Sequence, residues 1–338
     1  MAVSRRLFIG SGIALSALIA SGAFAQDTQL KLGLSMPTLN TPFFTVLVGA
    51  ATAETESLGG SVVQTTNANR DASQQVTDFR NLINSGANAI LAGVVDRASI
   101  QPALDYAASR GVPVVIVDDM PAAGQVYAVV RADNLGMGER AAEAMAAALA
   151  GKTGSVLNLQ GALVTSNGRD RSDGFTTKFA ELAPDVKVIS QSANWDSAQS
   201  ANVVSTVLSG NPDVVGIYLA TDTLYYEPVS AALYSRGDLV PVGDEKHVAI
   251  VAIDGGTGAH QAIRDGFLDA TISQPVSDYA KYGVIALQNA LNGVTMVAGP
   301  TDHDSNVVEA DGYFVDELPS PVVTKENVDD AALWGSGK

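Results

Sequence analysis

Three apolar segments of this sequence run into carboxylates: "VPVVIVDD" ends in Asp118 and Asp119, "DVVGIYLATD" in Asp222 and "HVAIVAID" in Asp254. A fourth, "LKLGLSM", leads through "TLNTPFF" to the paired rings of Phe43 and Phe44. A single aspartate after a strand is ordinarily a turn former or helix cap. Its recurrence at separate strand ends, together with two adjacent rings, asks for a shared purpose. Carboxylates accept hydrogen bonds from hydroxyls, and aromatic faces pack against the C–H surface of a sugar ring. The combination is that of a carbohydrate pocket. Arg169, after "TSNG" at the start of a helix, can donate two bonds from its planar guanidinium to ligand oxygens. On position alone, an exposed salt bridge with Asp170 or Asp173 accounts for it equally well.

Other chemistries are poorly supplied. The chain has no cysteine, which excludes thiol catalysis, disulfides and thiolate metal sites. Its three histidines, His247, His260 and His303, have no helical ligand spacing, so no metal site is expected. "GKT" at 151–153 lacks the earlier glycine and preceding strand of a phosphate loop. Gly136, Gly138 and Ala141 fit a dinucleotide glycine pattern but lack an acidic residue about 20 positions later for a ribose, and no cofactor is expected. Paired carboxylates can run glycoside hydrolysis, which stays as the enzymatic alternative. A net charge of −16 opposes binding to nucleic acid.

These residues need a scaffold that presents strand ends together. From Leu30 onward short apolar strands alternate with amphipathic helices, the pattern of parallel sheets with helices on both faces. The helix "SQQVTDFRNLINSG", for instance, places Val76, Phe79, Leu82 and Ile83 on one face and ends at Gly86. The plan repeats in the second half: "GANAILAGVVDRASIQPALDYAASRGVPVVIVDD" and the segment from "NPDVVGIYLATD" to "HVAIVAIDGG" share one order of strand, acidic loop, helix and strand. The sequence therefore predicts an α/β protein of two doubly wound parallel-sheet lobes. Their junction is placed near "RADNLG", and the helix "SDYAKYGVIALQNALNG" is expected to return to the first lobe.

The first 25 residues read as an export signal rather than as part of the fold. A basic start, an apolar middle and the small-residue site Ala23-Phe24-Ala25 predict cleavage after Ala25 and delivery to the periplasm. "SRRLFIG" also matches the twin-arginine type of signal, with an ordinary secretory signal as the alternative. Losing Arg5 and Arg6 takes the net charge from −16 to −18. No later run of 18 or more apolar residues exists, so the mature chain is not expected to be membrane-embedded.

Taken together, "TLNTPFF", "VIVDD", "RADN", "TSNGRDRSDGF", "DVVGIYLATD", "AIDGG" and "DATISQP" resemble the periplasmic sugar-binding proteins of the ribose-binding type, which serve ABC transporters. The resemblance runs from about Leu30 to Val308. It implies two lobes joined by a hinge crossed three times, closing on a monosaccharide or sugar alcohol that is passed to permease subunits. The chain is then a non-catalytic monomer. The implied division is 26–132 with about 275–303 in the first lobe, 133–274 with about 304–325 in the second, and 326–338 as a tail. The resemblance assigns Phe43 to one side of the sugar with Phe44 beside it, and Trp195 to the other. Asp118, Arg169, Asp254 and Gln274 match polar contacts. Thr41 and Thr221 stand where asparagines are usual, Asp222 follows Thr221, and Asp119 stands where the ribose binders carry arginine. These departures argue against ribose itself. A sugar-sensing regulator shares the fold, but would need a DNA-binding domain where the export signal lies.

Overall fold

The computed structural model describes residues 29–336. The expected export signal, its twin-arginine motif and its cleavage site lie outside the described residues. The first part of the chain alternates β1 (Lys31–Met36), α1 (Pro42–Ser57), β2 (Ser61–Asn67), α2 (Ala72–Asn84), β3 (Ala89–Ala92), α3 (Gln101–Ser109), β4 (Val114–Val117) and β5 (Ala128–Ala132). The second part runs α4 (Asn134–Leu149), β6 (Ser155–Gln160), α5 (Ser166–Leu182), β7 (Lys187–Ser192), α6 (Ser197–Gly210), β8 (Val214–Leu219), α7 (Asp222–Arg236), β9 (Ala249–Asp254), α8 (Thr257–Asp265) and β10 (Ala270–Ser273). The chain then returns through α9 (Val276–Leu291), β11 (Gly299–Pro300), β12 (Asn306–Ala310), β13 (Tyr313–Leu318) and β14 (Val322–Val323), and ends in a short 3₁₀ turn, Trp334–Ser336.

Two α/β lobes result. The first sheet has the order β11-β12-β13-β5-β4-β3-β1-β2 and the second β14-β10-β9-β8-β6-β7. All strands from β1 to β10 pair in parallel, with antiparallel pairing confined to the edges formed by β11, β12 and β14. Central strands such as β4 (VVIV) and β9 (AIVAID) are buried along their whole length, as parallel strands covered on both faces must be.

The sheets are joined at three places: Asp133, Gln274-Pro275, and 319–321. One expected boundary is corrected. Residues 304–325 do not all join the second lobe: β12 and β13 belong to the first sheet, where β13 pairs in parallel with β5 from Val315↔Val129 to Leu318↔Ala132. The reason is physical. Without β13, the fully buried strand β5 would present an unpaired apolar edge.

Local signals explain the helix starts. Asp71 caps α2 by accepting from the amides of Ser73 (2.8 Å) and Gln74 (3.0 Å). Thr165 caps α5, accepting from Gly168 at 3.1 Å, so α5 begins three residues before the expected Arg169. Thr41 holds the N-cap position of α1 with Pro42 next, yet its hydroxyl caps nothing. Helices α4 and α5 pack backbone against backbone. A Cβ on Gly138 would lie 2.4 Å from the Arg171 carbonyl oxygen and 2.8 Å from the Phe175 nitrogen. Gly138, which resembled part of a dinucleotide motif, thus serves a helix crossing.

Candidate functional site

A cavity of about 240 Å³ opens between the lobes, beyond the carboxyl ends of strands from both sheets. Its first-lobe wall comes from the segment after β1 with the start of α1, the ends of β3 and β4, and Arg70 after β2. Its second-lobe wall comes from the β6–α5 loop, the turn before α6, and the ends of β8, β9 and β10.

Nine of the eleven positions singled out in the sequence line this cavity. From the first lobe come Thr41, Phe43, Phe44, Asp118 and Asp119; from the second come Trp195, Thr221, Asp254 and Gln274. Phe43 is buried and holds its neighbour edge-on, with ring centroids 5.0 Å apart and planes at 83°, while Phe44 is half-buried. Trp195 fits because position 161 is glycine: a Cβ there would sit 2.0 Å from the indole.

Two positions fall elsewhere. Asp222 lies beneath the cavity and accepts from Gly255 N (2.7 Å), Gly256 N (3.0 Å) and the Thr271 hydroxyl (2.8 Å), fixing the turn after β9. Burial and the nearby Asp254 push its carboxyl up, against the pull of those three donors. Arg169 turns away from the cavity, and its Nη1 donates to the Leu163 carbonyl at 2.9 Å. The guanidinium that α5 turns to the cavity belongs instead to Arg171, while Arg70 lines the first-lobe wall. Two residues along a helix is about 200° of rotation, so the two arginines face opposite ways. Gly168, Arg171, Phe175 and Phe179 are among the buried residues of α5, and an arginine in helical step with two phenylalanines was the available signal.

Arg171 is 2% exposed. Its Nε donates to Asn134 Oδ1 (2.7 Å), and its Nη1 to the Ala220 carbonyl (2.8 Å) and Asp254 Oδ1 (3.2 Å). Its guanidinium lies 5.7 Å from the Trp195 ring centre. Burial works against its charge, but Asp254 and Asp118 outweigh that and hold it above its ordinary range. Asp254 also accepts from Thr221 (2.5 Å), Thr223 (3.1 Å) and Gln274 Nε2 (2.7 Å). Tyr279 of α9 then donates to Gln274 Oε1 (2.9 Å) and accepts from Ala132 N (2.8 Å), so the hydroxyl ties two hinge crossings to Asp254.

The first turn of α5 is where the lobes meet. Asp119 Oδ1 accepts from Met120 N of its own lobe, and from Ser166 N (3.0 Å) and the Ser166 hydroxyl of the other. Asn167 donates to Asp118 Oδ1 at 2.9 Å. Arg131 Nη2 reaches Asn167 Oδ1 and Asp170 Oδ2, both at 3.1 Å. A carboxylate at this helix start also meets the positive end of the helix dipole. Asp118 is half-buried and lines the cavity. Burial pushes its carboxyl up to about 7, opposed by Arg171 and reinforced by Asp119 and Asp254.

Two further features distinguish the cavity. Asp119 Oδ2 and Thr41 Oγ1 are buried polar atoms without partners. Of the nine non-glycine residues with positive φ among the described residues, five line it: Arg70, Asp118, Asn194, Trp195 and Asp254. Such backbone strain concentrates at working sites. Among the described residues, no group of three or more His, Cys, Asp or Glu could hold a metal ion, and no helix is long and apolar enough to cross a membrane.

Residues 32–295 match the family described as periplasmic binding protein domain. The chain belongs to that family. This periplasmic binding protein is 32% identical over 265 residues to the ribose import binding protein of Bacillus subtilis (strain 168), covering 78% of this chain and 83% of the relative. It is 30% identical over 283 residues to the ribose import binding protein of Escherichia coli (strain K12), covering 84% and 91%. Among solved structures, an ABC transporter periplasmic solute-binding protein from Actinobacillus succinogenes 130z, with bound D-allose, superposes with a TM-score of 0.77. The two are 25% identical, and the match covers 89% of this chain and 100% of the other.

Proposed function

We propose that this periplasmic binding protein captures a monosaccharide or sugar alcohol by closing its lobes and delivers it to the permease of an ABC importer. The observation that carries the reading is the cavity itself. Aromatic surfaces and hydroxyl-accepting carboxylates from both lobes face one cavity, and two of its buried polar atoms have no protein partner. A ligand touching both walls favours the closed arrangement, and closure is the state a permease can read. The relatives' roles as import binding proteins support transport over glycoside hydrolysis or gene regulation. Under the same proposal the chain works as a monomer in the periplasm after cleavage following Ala25, exported by the twin-arginine route.

A thermal-shift screen tests it, using D-ribose, D-allose, xylitol and myo-inositol. A compound at 100 times its dissociation constant adds about 2.7 kcal/mol of stability, enough for a clear rise in melting temperature. At least one of the four is expected to produce it. No shift with any of them up to millimolar concentration would overturn the assignment. Parallel incubation with aryl glycosides, following released phenol, checks the hydrolase alternative.

Asp119 gives a second test, because it does two things. One oxygen holds the start of α5 and the other, unpartnered, awaits a donor from the ligand. A ring oxygen placed there would set acceptor against acceptor at a cost of about 1–3 kcal/mol. Asp119→Ala removes two interlobe bonds and a ligand acceptor together. Charged hydrogen bonds contribute about 1.5–3 kcal/mol, so the best screening ligand should bind roughly tenfold to a hundredfold more weakly by calorimetry. Unchanged affinity would remove Asp119 from both roles.

A further inference from the structure

The segment after β14 does not hang free. Val328 and Leu333 are buried in the second lobe's core, and Arg264 of α8 donates to the Val328 carbonyl (3.2 Å) and to Asp329 (3.0 Å). Gly335 lies so close to the turn after β9 that a Cβ there would sit 2.1 Å from the Gly255 carbonyl oxygen and 2.9 Å from the ring of the fully buried His260. The packing delivers Trp334 to one place. Its Nε1 donates to the backbone carbonyl of Asp254 at 2.7 Å.

That carbonyl belongs to the most displaced non-glycine backbone among the described residues, with φ of 114° at Asp254, followed by 76° at Gly255. An aspartate does not rest there unless its surroundings impose it. Two donors fix the peptide: Gln274 N at 2.9 Å from the hinge side and Trp334 Nε1 from the tail. The same indole meets the Phe43 ring edge-on, with centroids 6.4 Å apart and planes at 90°. Phe43 belongs to the first lobe and lines the cavity, whereas Trp334 stands behind the cavity wall.

From this we infer that Trp334 is a positioning residue for the ligand site. It holds the strained peptide that aims the Asp254 carboxylate at the cavity, and it meets Phe43 across the lobes. The tail is thereby part of the binding apparatus. This rests on the reading that the cavity holds a ligand.

Two substitutions separate the contributions: Trp334→Phe keeps a ring for Phe43 but loses the N–H, and Trp334→Ala loses both. Binding of the best of the four screening compounds is expected to weaken at least fivefold in Trp334→Phe and further in Trp334→Ala. In the ligand-free protein, amide hydrogen exchange at Gly255 and Gly256 should quicken at least tenfold in Trp334→Ala, while amides of β8 keep their protection. General loosening would raise both sets together, and that result overturns the inference, as does exchange at Gly255 and Gly256 equal to wild type. Unaltered affinity in Trp334→Ala also overturns it. If wild type binds none of the four compounds, the proposed function fails, and the exchange measurement decides the Trp334 backbone role alone.

Discussion

Arg171→Ala is expected to abolish measurable ligand binding, while Arg169→Ala leaves it unchanged. Both residues are on α5, two positions apart, and differ in everything that decides the outcome. Arg171 is buried, donates through Nε and Nη1 to three groups, and neutralises Asp254. Removing one member of a buried ion pair typically costs about 3–5 kcal/mol, because the remaining charge is left desolvated and unpaired. Expressed in binding, that is more than a hundredfold. Part of the loss will appear as lower stability. Unfolding and calorimetry should therefore be measured on the same preparation, with folded protein required before an affinity is read. Arg169 gives up one bond to a neighbouring carbonyl and nothing in the cavity. Normal affinity in a folded Arg171→Ala protein would show that the ligand binds elsewhere.

Gly138→Val should be strongly destabilising although the residue lies away from the cavity. A side chain there meets the backbone of α5 at Arg171 and Phe175 rather than a movable side chain, so relief requires the helices to part. Gly174 returns the contact from α5, where a Cβ would lie 2.1 Å from the Leu135 carbonyl oxygen. Overpacking ordinarily costs about 1–3 kcal/mol, and a backbone clash lies at or above the top of that range. At roughly 2–4 °C per kcal/mol, the melting temperature should fall by about 6–12 °C or more. Because Arg171 rides on the displaced helix, affinity should fall as well. Gly49→Ala is the matched control: it sits in α1 with no atom within 4 Å of the added carbon, and should stabilise by about 0.5–1 kcal/mol. A Gly138→Val protein as stable as wild type would refute the close crossing.

The alternation of apolar strands and helices made the two-lobed plan legible, because parallel strands covered on both faces need unbroken apolar runs. The strand-end aspartates and Phe43 were legible for the same reason: their position follows directly from where a strand stops. Other features depended on information that a linear pattern does not carry. Choosing Arg171 over Arg169 needed the helix phase, which turns on α5 starting at Ser166. Assigning β12 and β13 needed knowledge of which sheet had an open edge beside β5. Asp222 looked like a cavity residue and proved to hold the Gly255–Gly256 turn from below. Trp334 is invisible to periodicity, since it sits in an aperiodic tail and matters only through the Asp254 carbonyl.

The triple crossing also governs how this molecule comes into being. β13 completes the first sheet next to β5, although nearly two hundred residues separate the two strands in the chain. Helix α9, which packs on α1, arrives almost as late, and the second lobe lacks β14 and its packed tail until the end. Neither lobe is a continuous stretch that can finish during synthesis. The apolar edge of β5 must therefore wait, exposed, for the last strands to emerge. Such long-range pairing folds slowly and leaves a sticky surface open meanwhile. Cutting the gene at the lobe junction is therefore expected to produce an aggregating fragment, not a domain.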